Sequence, residues 1–276
     1  MARHQNLKPP RKCIFCGGGN LSKEHFWPQW SHEYLRTIQP TKKHTLARTE
    51  DRAGVIQGGT SLTRQGGLFV RQVRCVCKKC NSEWMNGLET AAAPVLTPLI
   101  QMRPQRLELS PAQQNVLARW IALKALVAEH STDTYVTPQA ARTTFMVERA
   151  IPANFRIRIG LHADPAWFGT GFHRRSITFA LSPTMSKPPH GPIKNVQTLT
   201  FSMGRLLVYL TSSEVPEFDL DNVFKTTPRM ARLWPATGEP IVWPPPVIGM
   251  NGPGMLAASL DRLESSGKVR WTDFSD

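Results

Sequence analysis

Two Cys-x-x-Cys pairs constrain the fold of this chain more than any other feature of its sequence. Cys13 and Cys16 lie in CIFCGGGN, and Cys77 and Cys80 lie in CVCKKCNSEW. Cysteines at this spacing form tight knuckles, and two knuckles supply the four thiolates of one tetrahedral zinc site. The spacing therefore predicts that a structural Zn²⁺ joins two segments separated by about sixty residues.

The surroundings of the cysteines favour metal binding over disulfide formation. Basic residues flank or interrupt both knuckles, namely Arg11, Lys12, Lys78 and Lys79, and positive charge favours the thiolate form of cysteine. The first residues, MARHQNLKPPRK, lack the apolar stretch of a signal peptide, so we expect a cytoplasmic location. Thiols stay reduced there and remain available to a metal.

The fifth cysteine, Cys75, has no partner in this scheme. It lies in an apolar segment that leads into the second knuckle. We expect a buried cysteine of a β-strand, which behaves as a small apolar residue. The alternative is that Cys75 replaces Cys77 as a ligand.

The basic charge of the chain is concentrated in its first part. The 276 residues carry a net charge of +14. Residues 1–106 contain 17 Lys and Arg against 6 Asp and Glu, whereas residues 107–276 contain 17 against 14. Such a basic surface attracts polyphosphates, and nucleic acid is the expected partner. The alternatives are a basic protein without a nucleic-acid partner and a basic protein that binds an anionic membrane. No apolar run reaches the length of a membrane span.

Residue patterns before position 106 predict short elements around the knuckles. They are a strand in LSKEHFWP, a helix from Pro28 to about Ile38, a long loop or loose hairpin over 39–67, a strand in GLFVRQVRCV, and a helix from about Ser82 that is broken or restarted at Pro94 and Pro98.

After residue 106 the patterns predict helices and then an antiparallel sheet. Ser110 and Pro111 form a helix start, and apolar residues then recur at helical spacing to about Glu129. A short helix follows Pro138. Alternating segments then predict four strands, in NFRIRIGLH, HRRSITFALS, VQTLTFSMG and RLLVYLTS. A turn-rich segment, LWPATGEPIVWPPP, follows them, and MLAASLDRLES predicts a terminal helix. The expected class is α+β, with one unit over residues 1–106 and another over 107–276.

Three residues near the knuckles are candidates for chemistry. Glu24 and His25 are adjacent on an extended stretch, so their side chains point in opposite directions. One can then bind a metal while the other faces a substrate, which is the division of labour that phosphodiester hydrolysis requires. Asn81 directly follows the last knuckle cysteine, and its amide oxygen is a suitable ligand for a hard cation.

These residues together resemble the zinc-containing HNH endonucleases, which have a ββα-metal fold. The resemblance covers about residues 10–90 and implies that Glu24 and Asn81 bind a catalytic Mg²⁺ or Mn²⁺ ion, that His25 at the same ion site is the general base, and that the zinc clamps the strands to the helix. Pro28 follows the Glu-His pair as it does in that family. The implied module comprises residues 1–106, and residues 107–276 have no implied role.

The chain departs from the family pattern at one position. The family commonly has an Asn before the second knuckle that orients the catalytic His, but no Asn occurs between Phe26 and Cys80. A backbone carbonyl can take its place, or one of four side chains: Thr60, Ser61, Thr63 or Gln65. The interval between His25 and Asn81 is also long.

The resulting expectation is a metal-dependent endonuclease that grips the backbone of duplex DNA. The alternatives are an inactive zinc module that binds nucleic acid, an RNA-directed or toxin-like nuclease, and a protein-interaction scaffold based on the C-terminal sheet. Two other residues have open roles. Glu89 either faces the site or forms a surface ion pair, and His32 either binds metal or phosphate or is a solvated helix residue.

Overall fold

The chain forms a mixed α and β structure, as the sequence predicts. The computed structural model describes residues 12–39, 43–50, 56–65, 67–131, 134–177, 194–215 and 229–265. All named strands in these ranges pair in antiparallel fashion. The α+β class is therefore confirmed.

The part of the chain before residue 106 contains two separate strand pairs and two helical regions. Its elements are β1 (Leu21–His25), α1 (His32–Ile38), β2 (Lys43–Glu50), β3 (Ile56–Gln65), β4 (Gln72–Cys77), α2 (Lys78–Cys80) and α3 (Asn86–Leu99). β1 pairs with β4, and β2 pairs with β3. Short 3₁₀ turns precede α1 at Gln29–Ser31 and β4 at Leu68–Val70. The segment predicted as a loop or loose hairpin is thus a hairpin, and the strand predicted over GLFVRQVRCV is confined to its second half.

The helix after the second knuckle begins earlier and ends later than its sequence predicts. It begins at Lys78 rather than near Ser82, because the Cys77 Sγ atom accepts a hydrogen bond from the Cys80 N–H at 3.4 Å and caps the first turn. A π-helical turn at Asn81–Met85 joins α2 to α3.

Two prolines lie inside α3 without ending it. Pro94 and Pro98 each remove a backbone hydrogen bond, and a proline in a helix interior costs about 3 kcal/mol. The face that contains Val95, Leu96 and Leu99 is nevertheless buried against α4. Burial of one such aliphatic side chain contributes about 1.5–3 kcal/mol, so packing maintains the helix where local preference opposes it.

The described part of the chain after residue 106 contains two longer helices, a five-stranded sheet, a further short strand pair and two terminal helices. The elements are β5 (Leu107–Leu109), α4 (Pro111–Ala128), α5 (Gln139–Glu148), β6 (Phe155–Leu161), β7 (Thr170–Ile177), β8 (Val196–Met203), β9 (Leu206–Ser213), β10 (Ala231–Trp234), β11 (Ile241–Trp243), α6 (Gly252–Ala257) and α7 (Ser259–Ser265). The sheet has the order β10-β6-β9-β8-β7, and β11 pairs with β5. The Pro- and Trp-rich segment thus contains the short strands β10 and β11, and the terminal helix is divided in two.

Helix α4 is the central element of the core. Its sequence is apolar on almost every side, and it contacts α3 on one side and strands β6 and β10 on another. One cluster of buried apolar side chains runs from Cys13 to Trp243 and includes most of α4. The packing therefore crosses the boundary predicted at residues 106 and 107, and the division into two units stays a prediction.

The start of α4 provides a test of how local sequence supports this core. Ser110 Oγ accepts a hydrogen bond from the Gln113 N–H, and Gln113 Oε1 accepts one from the Ser110 N–H, which completes a capping box. Ser110→Ala should lower the free energy of unfolding by about 1 kcal/mol, measured by urea denaturation. Ser110→Asp retains a capping oxygen and should unfold close to the wild-type midpoint. Equal losses for both variants would contradict this role of the cap.

Candidate metal centre and the Glu24–His25 site

The four knuckle cysteines converge on one point. The sulfur atoms of Cys13, Cys16, Cys77 and Cys80 all lie within 4.8 Å of one another, and those of Cys16 and Cys77 are 3.5 Å apart. With zinc–sulfur bonds of about 2.3 Å, tetrahedral ligand sulfurs are separated by about 3.8 Å. The cluster is therefore close enough to hold a metal ion, and its size is compatible with structural zinc.

Backbone geometry prepares both knuckles for thiolates. The N–H groups of Gly18 and Cys80 each donate to a knuckle sulfur, Cys16 Sγ and Cys77 Sγ respectively, at 3.4 Å. Gly17 has a φ of +71°, a conformation that glycine adopts without a steric penalty. The glycines after the first pair thus allow the chain to fold back over its own sulfur atoms.

The ionisation of these thiols depends on the metal. Burial raises the pKa of Cys16 and of Cys80. Burial acts in the same direction on Cys77, but hydrogen bonds from the Cys80 N–H and the Cys16 side chain outweigh it and lower the pKa of Cys77. A bound divalent cation deprotonates coordinating thiols outright. Metal binding would therefore release protons and tie the local fold to the ion.

Cys75 lies outside this cluster. It is fully buried on β4, and burial raises the pKa of its thiol. Cys77, and not Cys75, contributes to the group of four sulfurs. Cys75 thus has the packing role expected of a buried strand cysteine.

Glu24 and His25 lie side by side on β1 and face opposite directions. Glu24 is 4% exposed, whereas His25 is only partly buried. In the register of β1 with β4, Leu21 lies opposite Cys77 and His25 lies opposite Gln72. One end of the strand pair is therefore anchored at the second knuckle, and Glu24 and His25 lie near the other end.

Glu24 is held by a lysine that the sequence analysis did not identify. Lys124, in the C-terminal half of α4, is fully buried, and its Nζ atom lies 3.1 Å from Glu24 Oε1. The same nitrogen forms an ion pair with Glu89 Oε1 and a hydrogen bond of 3.2 Å with the His25 carbonyl. Glu89 thus faces the site and is not a surface ion pair.

The charges of these three side chains determine one another. Burial raises the pKa of Glu24, and the Lys124 ammonium offsets part of this effect. Burial alone would lower the pKa of Lys124, but Glu89 and Glu24 raise it above its ordinary value. The charged ammonium form of Lys124 is therefore favoured between the two carboxyl groups.

The His25 imidazole is held by two glutamine side chains. Its Nδ1 atom lies 2.9 Å from the Gln29 amide, and its Nε2 atom lies 2.7 Å from the Gln72 amide. A neutral imidazole has one donor and one acceptor nitrogen, so one of these amides must present its oxygen to the ring. Burial and the Lys124 charge lower the pKa of His25, while Glu89 opposes this effect. The neutral imidazole is therefore favoured at physiological pH.

Asn81 belongs to the same strand–strand–helix frame but contacts the other end of β1. Its Nδ2 atom donates to Ser22 Oγ at 3.2 Å. Among the described residues no hydrogen bond joins it to Glu24 or His25, and its amide oxygen is not used in the bond to Ser22. The convergence of the three predicted catalytic residues on one ion stays a prediction.

Gln29 and Gln72 are the side chains that contact the ring nitrogens of His25. The four alternatives suggested by the sequence lie on β3, where their side chains fall outside the described residues. His32 is also not a solvated helix residue, because its Nε2 atom lies 3.1 Å from the Trp27 carbonyl and its ring lies 5.4 Å from that of His25. The site thus includes polar side chains, Gln29, Gln72 and His32, that are not part of the sequence motif.

One sequence signal could have identified Lys124. The segment WIALKALVA has a single charge within an apolar helical stretch, and a lysine is almost never fully buried without a partner. Gln29 and Gln72 gave no such signal, since exposed glutamines are common. The contact of Gln72 follows from the pairing of β1 with β4, and that of Gln29 from the 3₁₀ turn just after β1.

Comparisons of the chain with protein-family models, with curated proteins and with solved structures found no match. In the described parts of the chain, none of the helices has the length and apolar character needed to cross a membrane.

The two neighbouring cysteines of β4 provide a matched test of the metal centre. Cys77→Ala should abolish stoichiometric zinc binding, because three thiolates remain in a site built for four, whereas Cys75→Ala should keep the zinc. Zinc content by elemental analysis and zinc release to a chelator would measure the difference. Loss of zinc from Cys75→Ala with retention in Cys77→Ala would exchange the roles assigned to the two residues.

Proposed function

We propose that this protein is a metal-dependent endonuclease of the HNH type that hydrolyses phosphodiester bonds of DNA and carries a structural zinc ion. The observation that supports it best is the frame around the cysteine cluster. β1 carries Glu24 and His25, β4 pairs with it and ends in the second knuckle, and the helix that begins at Lys78 carries Asn81 directly after the last cysteine. This is the order of elements that the resemblance to the ββα-metal fold implies.

In this proposal His25 is the general base. Its imidazole is partly exposed, its neutral form is favoured, and both ring nitrogens have hydrogen-bonding partners that fix the ring plane. The imidazole would take a proton from the attacking water, and an exchange of partner at one nitrogen would admit that water. Gln29 and Gln72 would orient the ring in place of the usual Asn.

The donor chemistry of the neighbouring residues fits a hard divalent cation such as Mg²⁺ or Mn²⁺. Glu24 and Asn81 would hold it through oxygen atoms: Lys124 uses only Oε1 of Glu24, and the bond to Ser22 uses only the nitrogen of the Asn81 amide. His25, predicted as part of the same ion site, borders it as the base. When bound, the ion supplies charge stabilisation at the phosphate and the leaving oxygen.

The exposed surface of this frame supports contact with a phosphate backbone. Lys12, Lys23, Arg74, Lys78 and Lys79 are exposed, and they lie in the first knuckle, the β1–β4 pair and the second knuckle. Such contacts position a duplex without reading its sequence. The proposal therefore concerns DNA in general and names no target sequence.

A second candidate function is supported by one specific observation. The Lys124 ammonium already forms an ion pair with Glu24, which an inactive zinc module that only binds nucleic acid would also tolerate. The two candidates differ in a single measurement, which is cleavage of DNA in the presence of Mg²⁺ or Mn²⁺ and its loss in EDTA.

Replacement of the proposed base tests the enzyme directly. His25→Ala should lower the cleavage rate about 10²–10⁴-fold, the usual contribution of a general base, with DNA affinity and zinc content unchanged. His173→Ala, which removes an imidazole from β7 of the large sheet, is the control and should cleave at the wild-type rate per folded molecule. A His25→Ala protein that cleaves normally would exclude His25 as the base.

The pH dependence of cleavage should follow the ionisation of His25. A general base must be unprotonated, and the pKa of His25 is lowered from its ordinary value of about 6.5. The rate should therefore rise with pH through this lowered pKa and change little above neutrality, as measured in single-turnover assays at fixed ion concentration. A rate that rises only above pH 8 would point to another base.

Binding of duplex DNA should depend on the basic residues of the second knuckle. Replacement of Lys78 and Lys79 by Ala should weaken binding to all sequences, and it should reduce the slope of log K against log salt by about one for each phosphate that is no longer neutralised. Arg232→Ala, an exposed site on β10, is the control and should leave the slope unchanged. Equal effects of the two changes would contradict a DNA surface at the knuckle.

A further inference from the structure

Lys124 has an unusual position for a charged residue. It is the only charge in the stretch WIALKALVA, and none of its surface is exposed. Removing an ammonium from water costs several kcal/mol unless opposite charges and hydrogen bonds compensate. The compensation here comes mainly from the Glu24–His25 site and from Glu89, with the Trp120 ring centroid 5.9 Å from the Lys124 Nζ atom.

The contacts of Lys124 match the bonding capacity of an ammonium group. A lysine ammonium has three N–H donors, and three oxygens surround this one: Glu24 Oε1 at 3.1 Å, the His25 carbonyl at 3.2 Å and Glu89 Oε1. Two carboxylates and one carbonyl would also suit a hard cation. The lysine thus supplies a tethered cation at the point where these oxygens meet.

Two of the three contacts fix the dipeptide that carries the proposed chemistry. One nitrogen binds the side chain of Glu24 and the backbone carbonyl of His25, the next residue in the chain. The register of β1 with β4 shifts between Ser22 and Glu24, and beyond this shift Glu24 and His25 lie opposite Val73 and Gln72. Lys124 therefore adds a contact from α4 to the strand directly after its irregular position.

Glu89 in turn holds Lys124 in position. It lies on α3, it is partly exposed, and its carboxylate pairs with the same ammonium. Because the two acids share one cation, Lys124 does not fully neutralise Glu24. The ion pair with Lys124 uses Oε1 of Glu24 and leaves out its second oxygen.

We propose that Lys124 is a positioning residue of this site, which fixes the Glu24 carboxylate and the His25 backbone with Glu89 as its anchor. The inference rests on the proposed function, in which Glu24 binds the divalent ion and His25 activates water. Lys124 itself contacts neither the substrate nor the reacting atoms. It acts from α4, beyond the predicted boundary at residue 106, so the C-terminal part of the chain completes the site.

A second buried ion pair provides the control for a purely structural role. Arg142 Nη2 lies 2.5 Å from Glu129 Oε2, and both side chains are buried. Loss of one partner from a buried pair is strongly destabilising wherever the pair lies. Lys124→Met and Arg142→Met should therefore both lower stability, and only the former should disturb the Glu24–His25 site.

The experiment compares wild type, Lys124→Met, Glu89→Gln and Arg142→Met as zinc-loaded, full-length proteins. The first readout is the NMR spectrum of labelled histidine at pH 8 in EDTA-free buffer without Mg²⁺ or Mn²⁺, where protonation of His25 does not contribute. We expect the His25 signals to shift or broaden in Lys124→Met, to move less in Glu89→Gln, and to stay unchanged in Arg142→Met.

The second readout is thermal unfolding with and without millimolar Mn²⁺. Mn²⁺ should partly restore the melting temperature of Lys124→Met alone, because the ion can replace the missing ammonium.

The third readout is cleavage of DNA, where kcat should fall about 10–100-fold in Lys124→Met with little change in KM, as for other residues that orient a metal ligand. Wild-type protein that does not cleave DNA would contradict the proposed nuclease, while the histidine spectra and the response to Mn²⁺ would still decide the role of Lys124. Spectra of Lys124→Met in which the His25 signals match those of wild type would overturn the inference. If Lys124→Met does not fold, unchanged His25 signals in Glu89→Gln would overturn it equally.

Discussion

The convergence of four cysteine sulfurs is the constraint on which the N-terminal structure depends. It joins a knuckle at residues 13–16 to one at 77–80 and thereby brings β1 beside β4. Zinc binding to knuckle peptides contributes roughly 10–16 kcal/mol, as much as the entire net stability of a typical domain, about 5–15 kcal/mol. A two-stranded sheet alone is marginal in water. Packing of α3 against α4 stabilises this region, and a metal bound by the four cysteines would add to it.

The second contact that organises this region is electrostatic, and it joins the C-terminal part of the chain to the N-terminal part. Lys124 extends from the most deeply buried helix to Glu24, Glu89 and the backbone of His25. This lysine places a polar group in the apolar core beside the site, and each of the three N–H donors of its ammonium has an oxygen partner. A structure that satisfied the cysteine cluster alone would leave Glu24 buried without a counter-charge, which costs more than most single side-chain contacts contribute.

The cysteine cluster and Lys124 have different structural roles at the site. The cysteine cluster sets where β1 lies, and Lys124 sets how its Glu24–His25 end is held. Gln29 and Gln72 then fix the imidazole from the solvent side. His25, the proposed general base, is thus held by contacts from a strand, a 3₁₀ turn and a buried helix, and it has little freedom to reorient. A fixed orientation of this kind favours proton transfer from a bound water.

The sequence by itself determined the two Cys-x-x-Cys pairs that could bind a metal, the α+β class, the opposite orientation of Glu24 and His25, and the Ser110 cap of α4, because each depends on local spacing or on a local residue pattern. Only the tertiary structure decided that the helix after the second knuckle continues through Pro94 and Pro98, since that depends on burial against α4. It also decided that Glu89 faces inward and that two glutamines orient His25. The partner of Glu24 lies one hundred residues away along the chain, and no local pattern encodes such a distance; only the packing of α4 beside β1 brings the ammonium to the carboxylate.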